Sequence, residues 1–325
     1  MTSSLRSRAN VFAALELDRC AEQREDAAWV TACAEGPTAR YLILRADGGA
    51  LVANDRGGLL HLDRGACERI DPAASASFLG CADAAHHFAL TLDEQTAQRA
   101  AAEVNGTFLD LRSAGGALPA FDAGLFAYAR GLAHWQQRTR WCSACGAPVR
   151  LEAAGHRAQC TNPQCGVAHF PRTDPAIIVI VSHEGRCLLG RGPQWPERRY
   201  STLAGFVEPG ESLEDAVRRE VFEEAGVRIA HSDYHSSQPW PFPASIMLGF
   251  TAVAEDPTIR LGAELAEAHW FSVEDLVSGL SSGQIKVSSR LSVSYKLIEH
   301  WLRETANIEL SSLTEGQSSP ITTNG

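Results

Sequence analysis

Short apolar runs separated by turn residues dominate the first 135 residues of the chain. Four of these runs predict β-strands, at Trp29–Ala34, Tyr41–Leu44, Leu59–Leu62 and Phe88–Leu92. Turns are predicted between them at two glycine-containing sequences, Asp47-Gly48-Gly49 and Arg56-Gly57-Gly58. Two stretches predict helices, the alanine-rich Glu94–Val104 and Phe121–Gln137, whose apolar residues follow helical spacing. We therefore expect a domain of mixed α/β structure over residues 1–135.

The second half of the chain alternates strand and helix signals. Ala176–Val181 is a dense apolar run, and Cys187–Leu189 follows it after a polar turn, so the pair predicts a β-hairpin. A helix is predicted at about 212–225, and later elements are two strands and a last helix, at Ile246–Val253, Ala268–Phe271 and Ser289–Glu304. Residues 305–325 are rich in Ser, Thr, Gly and Asn, which predicts a disordered tail.

Composition narrows the class of protein. The chain has 325 residues, of which 45% are hydrophobic and 21% charged, so two or three globular domains are expected. A formal net charge of −10 disfavours a broad electrostatic grip on long nucleic acids, although a divalent cation could still bind a small anionic substrate. No apolar run approaches the roughly 20 residues of a membrane span. We expect a cytoplasmic protein with no membrane partner.

Three carboxylates distinguish the helix predicted at about 212–225. Its cap positions hold suitable residues, namely Ser212, Asp215 and Gly226. Glu220, Glu223 and Glu224 stand at i, i+3 and i+4, which places them on one arc of the helix. Like charges at this spacing repel, and a hard cation such as Mg²⁺ or Mn²⁺ would relieve the repulsion. The alternative is a solvated acidic face with no ligand.

The wider spacing around this helix favours the metal site. Seven residues stand at defined spacings from one another, namely Gly205, Glu211, Arg219, Glu220, Glu223, Glu224 and Gly226. This pattern resembles the Nudix box at every defined position. The resemblance implies an α+β protein with a Nudix fold, a mixed β-sheet between helices, in which the box forms a loop, a helix and a loop. It also implies metal-dependent attack of water on a nucleoside diphosphate.

The same resemblance assigns roles to the box residues. Glu220, Glu223 and Glu224 would be catalytic and would hold the metal, whereas Arg219 and Glu211 would stabilise the loop through ion pairs. A metal neutralises the diphosphate, orients it and lowers the pKa of bound water. The spacing does not indicate whether one of the three glutamates also acts as a general base.

A proline-rich string follows the box, Ser237-Gln-Pro-Trp-Pro-Phe-Pro-Ala-Ser245. Three prolines block a helix and predict a rigid extended segment. Its aromatic and polar residues could bind a base or a ribose, or they could simply fill the core. The string resembles the signature of the NADH pyrophosphatase family at all eight specified positions. That resemblance implies NADH or NAD⁺ as substrate, with Gln238, Trp240 and Ser245 in substrate binding.

Four cysteines form two closely spaced pairs, Cys142-x2-Cys145 and Cys160-x4-Cys165. Four thiolates in turn-rich sequence suit tetrahedral zinc, and a closed four-cysteine site has a structural role. His156 and His169 are spare ligands. NADH pyrophosphatases carry a zinc ribbon at this position, which we place at residues 138–170, although a two-residue second knuckle is common there. The remaining five cysteines are expected in the core.

The family resemblance also assigns roles to two aromatic residues and a pair of glutamates. Phe170 matches an aromatic residue that reaches the partner subunit of a homodimer and sandwiches the substrate base against the residue that matches Phe206. Stacking on rigid aromatic faces suits a base, although Phe170 could instead belong to the ribbon core. Glu264 matches the first member of a glutamate pair that approaches the metals, and Glu267 matches the second. Glu264 is therefore a fourth metal-site candidate.

The sequence therefore predicts a divergent, Nudix-like N-terminal domain at 1–135, a zinc ribbon, and a catalytic Nudix domain at 172–304. The predicted reaction is hydrolysis of NADH or NAD⁺ to nicotinamide mononucleotide and AMP, with Mg²⁺ or Mn²⁺ as catalytic cofactor and Zn²⁺ as structural cofactor. One alternative is the same chemistry on the NAD cap at the 5′ end of an RNA. A second alternative is a non-catalytic zinc-ribbon interaction protein.

Overall fold

The computed structural model of the chain describes residues 2–54, 58–72 and 75–314. The α-helices of these residues are Ser3–Arg8 (α1), Ala27–Glu35 (α2), Arg64–Ile70 (α3), Glu94–Glu103 (α4), Leu111–Ala114 (α5), Ala120–Arg138 (α6), Leu213–Ala225 (α7), Val273–Ser282 (α8), Val293–Ala306 (α9) and Leu310–Thr314 (α10). The strands are Ala39–Arg45 (β1), Ala50–Ala53 (β2), His61–Leu62 (β3), Ala76–Ala82 (β4), Ala85–Leu92 (β5), Gly106–Leu109 (β6), Val149–Glu152 (β7), Arg157–Cys160 (β8), Ala168–His169 (β9), Asp174–His183 (β10), Arg186–Arg191 (β11), Arg199–Tyr200 (β12), Leu203–Phe206 (β13), Ile229–Trp240 (β14), Ser245–Ala254 (β15), Glu267–Ser272 (β16) and Lys286–Val287 (β17).

These elements form two compact units. The ribbon unit comprises Ala14–Thr173 and Trp240–Ala244, and the box unit comprises Met1–Ala13, Asp174–Pro239 and Ser245–Gly325. This division differs from the predicted domain at 1–135, because the first 13 residues belong to the box unit. The physical reason is hydrogen bonding between α1 and the strand β14: the backbone N–H of Ser237 donates to the Ser7 hydroxyl at 3.0 Å.

The ribbon unit contains a six-stranded sheet in the order β4-β5-β1-β2-β6, with β3 paired to β1. Strand β1 is parallel to β5 and antiparallel to β2 and β3. The large side chains of its core come from β1, β4 and β5 and include Tyr41, Ile43, Phe78, Phe88 and Leu90. The strands predicted at Tyr41–Leu44 and Phe88–Leu92 and the helices predicted at Glu94–Val104 and Phe121–Gln137 are therefore confirmed.

Two predictions in this region need correction. Trp29–Ala34, predicted as a strand, lies within α2, because the Asp26 side chain accepts hydrogen bonds from the N–H groups of Ala28 and Trp29 and caps a helix. A short apolar run does not by itself distinguish a strand from a buried helix. Of the strand predicted at Leu59–Leu62, only the last two residues form β3. Arg56 and Gly57 of the second predicted turn lie outside the described residues.

The box unit contains a second six-stranded sheet, in the order β14-β15-β10-β11-β16, with β13 paired to β10. The predicted hairpin is confirmed, because β10 and β11 pair antiparallel. Alternate residues of β10 face opposite sides of the sheet. Ile177 and Val179 pack in a cluster with Val217 and Val221 of α7, and Ile178 and Ile180 pack in a second cluster with Leu297 and Ile298 of α9. The result is a mixed sheet between helices, as predicted.

The end of the described chain differs from the disordered tail predicted at 305–325. The helix α9 ends at Ala306, and α10 follows at Leu310–Thr314. Leu310 is fully buried in the core formed with α8 and α9. The tail as a whole is polar in composition, so the sequence did not indicate that Leu310 packs in the core. Residues 315–325 lie outside the described residues. None of the described helices is both long enough and apolar enough to cross a membrane.

Candidate functional site

The carboxylate site of the box unit begins with the loop and helix that follow β13. The Ser212 hydroxyl accepts a hydrogen bond from the Asp215 N–H at 3.1 Å, so it caps α7 as predicted. Gly226 ends the helix in the left-handed conformation, with φ of 68°. These caps determine where α7 starts and stops. They therefore determine which residues of α7 face the loop 207–212.

Arg219 connects the loop to the helix. Its guanidinium donates to both carboxylate oxygens of Glu211, at 2.6 and 2.9 Å, and to the Phe206 carbonyl at 2.8 Å. It also donates to Glu220 at 2.8 Å and to Glu223 at 2.9 Å. The hydrogen bonds from Arg219 lower the pKa of Glu211. A two-pronged Arg–carboxylate contact is geometrically specific, so it holds the loop in one conformation.

Glu224 is the most deeply buried of the three box carboxylates on α7. Its side chain is 8% exposed, and its Oε2 has no hydrogen-bond partner among the described residues. Burial, followed by the charges of Glu220 and Glu264, raises the pKa of Glu224 to about 8. Burial also raises the pKa of Glu220. Buried carboxylates with raised pKa values are typical of functional sites.

Gly205 is required by the approach of Glu220. A Cβ atom at position 205 would lie 1.8 Å from the carboxyl carbon of Glu220. Any other residue at this position would displace that carboxylate, which explains in physical terms why the motif begins with glycine. The exposed Glu223 lies further out and pairs with Arg219.

Glu264 belongs to the same charged group, whereas Glu267 does not. The charge of Glu264 acts on both Glu220 and Glu224. Its loop is attached to the end of α7 by the Gly262 N–H, which donates to the Glu224 carbonyl at 2.9 Å. Glu267 instead pairs with Arg191 and accepts a hydrogen bond from the Tyr200 hydroxyl at 2.6 Å. Glu220 and Glu264 act electrostatically on Glu224, and its unpartnered buried oxygen suits a hard divalent cation.

The second candidate metal site is in the ribbon unit. The Sγ atoms of Cys142, Cys145, Cys160 and Cys165 all lie within 4.8 Å of one another, and among the described residues no other set of three or more His, Cys, Asp or Glu side chains converges as closely. The four-residue spacing of the second knuckle is accommodated by a turn in which Asn162 accepts from the N–H groups of Cys165 and Gly166. A tetrahedral site of four thiolates suits zinc.

The two spare histidines are not part of this cysteine cluster. His169 Nε2 contacts Cys142 Sγ at 3.4 Å, which lowers the pKa of that thiol. Such a contact is typical of a residue that supports a metal ligand from outside the coordination shell. His156 is buried and hydrogen-bonds the Tyr128 hydroxyl at 2.6 Å.

The residues of the proline-rich segment lie in different environments. Gln238 is 1% exposed, and its amide is satisfied internally: Nε2 donates to the carbonyls of Val11 and Leu291, and Oε1 accepts from the Val293 N–H. These hydrogen bonds all lie within the box unit, and the predicted contact of Gln238 with substrate stays a prediction. Ser245 is buried at the start of β15, paired with Asp174.

Trp240 lies in the ribbon unit. Its ring meets that of Phe242 edge to face at 5.0 Å, and the Arg112 guanidinium lies over both rings. The predicted extended conformation is confirmed up to Trp240, where β14 ends. Pro239 is compatible with this strand because β14 is at the edge of its sheet.

The two predicted stacking residues both present free aromatic faces. Phe206 is 59% exposed, and Phe170 is 53% exposed. Phe206 belongs to the box unit and Phe170 to the ribbon unit. The sequence analysis did not identify Trp195, another exposed aromatic residue, in the loop that precedes β12. A tryptophan between two prolines and followed by two arginines is the signal that could have identified it.

Three family profiles match consecutive parts of this chain. A family profile described as a NADH pyrophosphatase-like rudimentary NUDIX domain matches residues 38–135. The NADH pyrophosphatase zinc ribbon domain matches residues 137–170, and the NUDIX domain matches residues 171–291. A solved NUDIX hydrolase from Nitrosomonas europaea is 26% identical, with a TM-score of 0.37, over 42% of this chain and 79% of its own.

Two relatives carry the same printed description, NAD-capped RNA hydrolase. The one from Mycobacterium bovis is 36% identical over 83% of this chain and 88% of its own length. The one from Macaca fascicularis is 40% identical over 58% of this chain. The aligned part spans 43% of the Macaca protein, so this chain corresponds to less than half of that relative. The chain belongs to the zinc-ribbon-containing NADH pyrophosphatase family of the Nudix hydrolase superfamily.

Proposed function

We propose that this protein hydrolyses the diphosphate of NADH or NAD⁺ in a reaction that depends on a divalent metal. Water attacks one phosphorus of the P–O–P linkage, and the bond from that phosphorus to the bridging oxygen breaks. The products are nicotinamide mononucleotide, reduced or oxidised, and AMP. The observation that carries the proposal is the buried carboxylate of Glu224, one oxygen of which has no hydrogen-bond partner among the described residues. Burial and the negative charges of Glu220 and Glu264 raise its pKa. Without a catalytic role, this arrangement only costs stability.

The carboxylates would hold the catalytic Mg²⁺ or Mn²⁺, with Glu220, Glu223, Glu224 and Glu264 as the candidate ligands. When bound, such a cation neutralises the diphosphate and lowers the pKa of a bound water. Arg219 acts as a positioning residue, because it joins Glu211, Glu220 and the Phe206 carbonyl. Gly205 leaves room for the Glu220 carboxylate.

Aromatic faces would provide selectivity for a dinucleotide. Phe206 is the last residue of β13 and is exposed next to the loop 207–212. We propose that it stacks on a substrate base and that Phe170 of the partner subunit in a homodimer covers the other face. Gln238, Trp240 and Ser245 are the substrate-binding candidates of the proline-rich segment. Stacking on a rigid ring holds a base at a small cost in conformational entropy.

The second candidate function is removal of an NAD cap from the 5′ end of an RNA by the same chemistry. The relatives from Mycobacterium bovis and Macaca fascicularis, both described as NAD-capped RNA hydrolases, favour it. The net charge of −10 favours recognition of the cap rather than of a long RNA body. We further propose Zn²⁺ at the four cysteines and a cytoplasmic location.

The decisive experiment is incubation of the purified zinc-bound protein with NADH and Mg²⁺, with chromatographic detection of AMP and reduced nicotinamide mononucleotide. Equimolar formation of the two products is expected, and it should stop when the divalent cation is omitted. Replacement of Mg²⁺ by Mn²⁺ compares the two cations. Failure to release nicotinamide mononucleotide from both NADH and NAD-capped RNA would favour the alternative of a non-catalytic zinc-ribbon protein.

A further inference from the structure

The loop Gly192–Arg199 of the box unit lies beside the candidate metal site and has no assigned role. Trp195 in this loop is 43% exposed. A Cβ atom at Gly192 would lie 3.9 Å from the Trp195 indole and 3.9 Å from the Glu264 carbonyl oxygen. The indole and the Glu264 backbone are therefore both neighbours of Gly192, and the charge of Glu264 acts on Glu220 and Glu224.

Internal hydrogen bonds hold this loop in place. The Trp195 N–H donates to the Gly192 carbonyl at 3.1 Å, which closes a turn. The Arg191 guanidinium donates to the Trp195 carbonyl at 3.3 Å and also pairs with Glu267. Prolines at 193 and 196 restrict the backbone on both sides of the indole. An exposed indole on such a restricted backbone is a prearranged stacking face.

Basic residues surround the indole, although the chain as a whole is acidic. The Arg199 guanidinium lies 5.9 Å from the centre of the Trp195 ring, and Arg198 and Arg199 are both exposed. The exposed Lys286 is adjacent through β17, because its N–H donates to the Arg198 carbonyl at 2.7 Å. Against these three cations the loop itself carries one carboxylate, Glu197. The loop and Lys286 together therefore carry a net positive charge, and the neighbouring Glu267 is paired with Arg191.

We infer that Trp195, Arg198, Arg199 and Lys286 form a binding surface for the nucleotide that follows the dinucleotide cap of an RNA substrate. The inference rests on the proposed function. The base of that nucleotide would stack on Trp195, and its phosphate would bind the neighbouring arginines. Aromatic rings beside cations are the usual means of binding single-stranded nucleic acid without sequence preference.

The charge of the substrate decides between an RNA and a free dinucleotide. NADH and NAD⁺ carry their two phosphates in the diphosphate, and the carboxylate-bound cation would neutralise these. A free dinucleotide therefore has no further phosphate for Arg198, Arg199 and Lys286 to bind. An RNA body does supply such phosphates. Contact with one nucleotide does not require a large basic surface, so this binding surface is compatible with an acidic chain.

The test compares kcat/KM for NADH and for a short NAD-capped RNA, with wild-type protein and with Trp195→Ala and Trp195→Phe. The alanine variant should lose about tenfold or more on capped RNA, the size expected for one stacked base, and should change less than about twofold on NADH. The phenylalanine variant should recover most of the loss. Tyr234→Ala is the matched control, because Tyr234 is similarly exposed, at 40%, in the same unit.

The charged part of the surface has its own measurement. Arg199→Gln should weaken the salt dependence of kcat/KM on capped RNA, with a slope against log salt smaller by about 0.7 for one lost phosphate contact. Arg228→Gln, a change at an exposed arginine elsewhere in the box unit, should leave the slope unchanged.

The outcomes separate the two proposals. Equal losses on NADH and capped RNA for Trp195→Ala would overturn the RNA surface and place the indole in the dinucleotide site. Cleavage of NADH but not of capped RNA by the wild type, or no loss in Trp195→Ala, would also overturn it. A wild type that cleaves neither substrate would refute the proposed function itself.

Discussion

The two sheets of this protein share one topology but differ in the chemistry they carry. In the box unit β10 is parallel to β15 and antiparallel to β11 and β13, and in the ribbon unit β1 is parallel to β5 and antiparallel to β2 and β3. The outer strands also correspond, since β16 pairs with β11 as β6 pairs with β2. The same strand order therefore occurs twice in one chain.

The difference lies in the connection from the short strand to the next helix. In the box unit, β13 leads through the loop Val207–Ser212 to the 13-residue α7, which carries the three box glutamates. In the ribbon unit, β3 is followed at once by the N-cap Asp63 and the 7-residue α3, whose one carboxylate is Glu68. The sheet supplies a scaffold, and the loop with its longer helix supplies the site.

The strongest test of this comparison replaces one carboxylate in each helix. Glu224→Gln should nearly abolish hydrolysis of NADH, because it removes an anionic ligand at nearly constant volume. Glu68→Gln, the corresponding change on α3, should leave kcat/KM within about twofold of wild type. Circular dichroism should show both variants folded. Undiminished turnover of Glu224→Gln in Mg²⁺ would contradict the metal assignment.

A second test asks whether zinc belongs to the ribbon alone. Elemental analysis should find about one zinc per chain, as a single four-thiolate site requires. Cys142→Ser should lose that zinc and lower solubility or thermal stability. Cys81→Ser, a change at a thiol of the ribbon-unit sheet, should retain the metal. A soluble, fully active wild type that contains no zinc would refute this prediction.

A third test concerns the stacking faces. Phe206→Ala should weaken NADH hydrolysis by roughly 1–3 kcal/mol in transition-state stabilisation, the value of one stacked base, and Phe170→Ala should do likewise. Phe222→Ala is the control, because Phe222 is 52% exposed on α7. Equal effects at 206 and 222 would show that the loss is not specific to the proposed base contact.

Mixed dimers sharpen this third test. In a dimer of one Phe170→Ala chain and one Glu224→Gln chain, an aromatic that acts across subunits leaves one site with both defects and one with neither. About half of the wild-type activity per dimer should then return. Absence of recovery in a verified mixed dimer would refute the shared site and leave the metal assignment intact.

The smallest expected effect is on stability, and both units should show it. Burial lowers the pKa of His87 in the ribbon unit to about 4 and that of His235 in the box unit to about 3. Unfolding below pH 6.5 therefore takes up a proton at each site, so stability falls as the pH drops from about 6.5 toward 4. Each histidine should contribute about 1.4 kcal/mol per pH unit.

Denaturant unfolding at pH 7.5 and pH 5 measures this dependence. His87→Asn and His235→Asn should each reduce the difference between the two pH values, because the titrating ring is gone. An unchanged difference in both variants would show that other groups cause the acid sensitivity.

Local chemistry was sufficient to predict much of this protein. The spacing of Glu220, Glu223 and Glu224 on one helix arc depends only on helix geometry, and the Ser212 and Gly226 caps depend on adjacent backbone groups. The alternating burial of β10 and the convergence of the two cysteine knuckles follow from short-range patterns in the same way. In each case the interacting residues are close in sequence.

Tertiary structure decided the features that depend on distant partners. The Gln238 amide hydrogen-bonds backbone groups of Val11, Leu291 and Val293, and its local sequence does not predict these partners. The raised pKa of Glu224 needs Glu264, forty residues away, as well as burial. Likewise, a leucine in a polar tail becomes a core residue only when α8 and α9 provide a surface for it. Burial and charge at a site are sums over the whole fold, and a local sequence pattern contains only part of each sum.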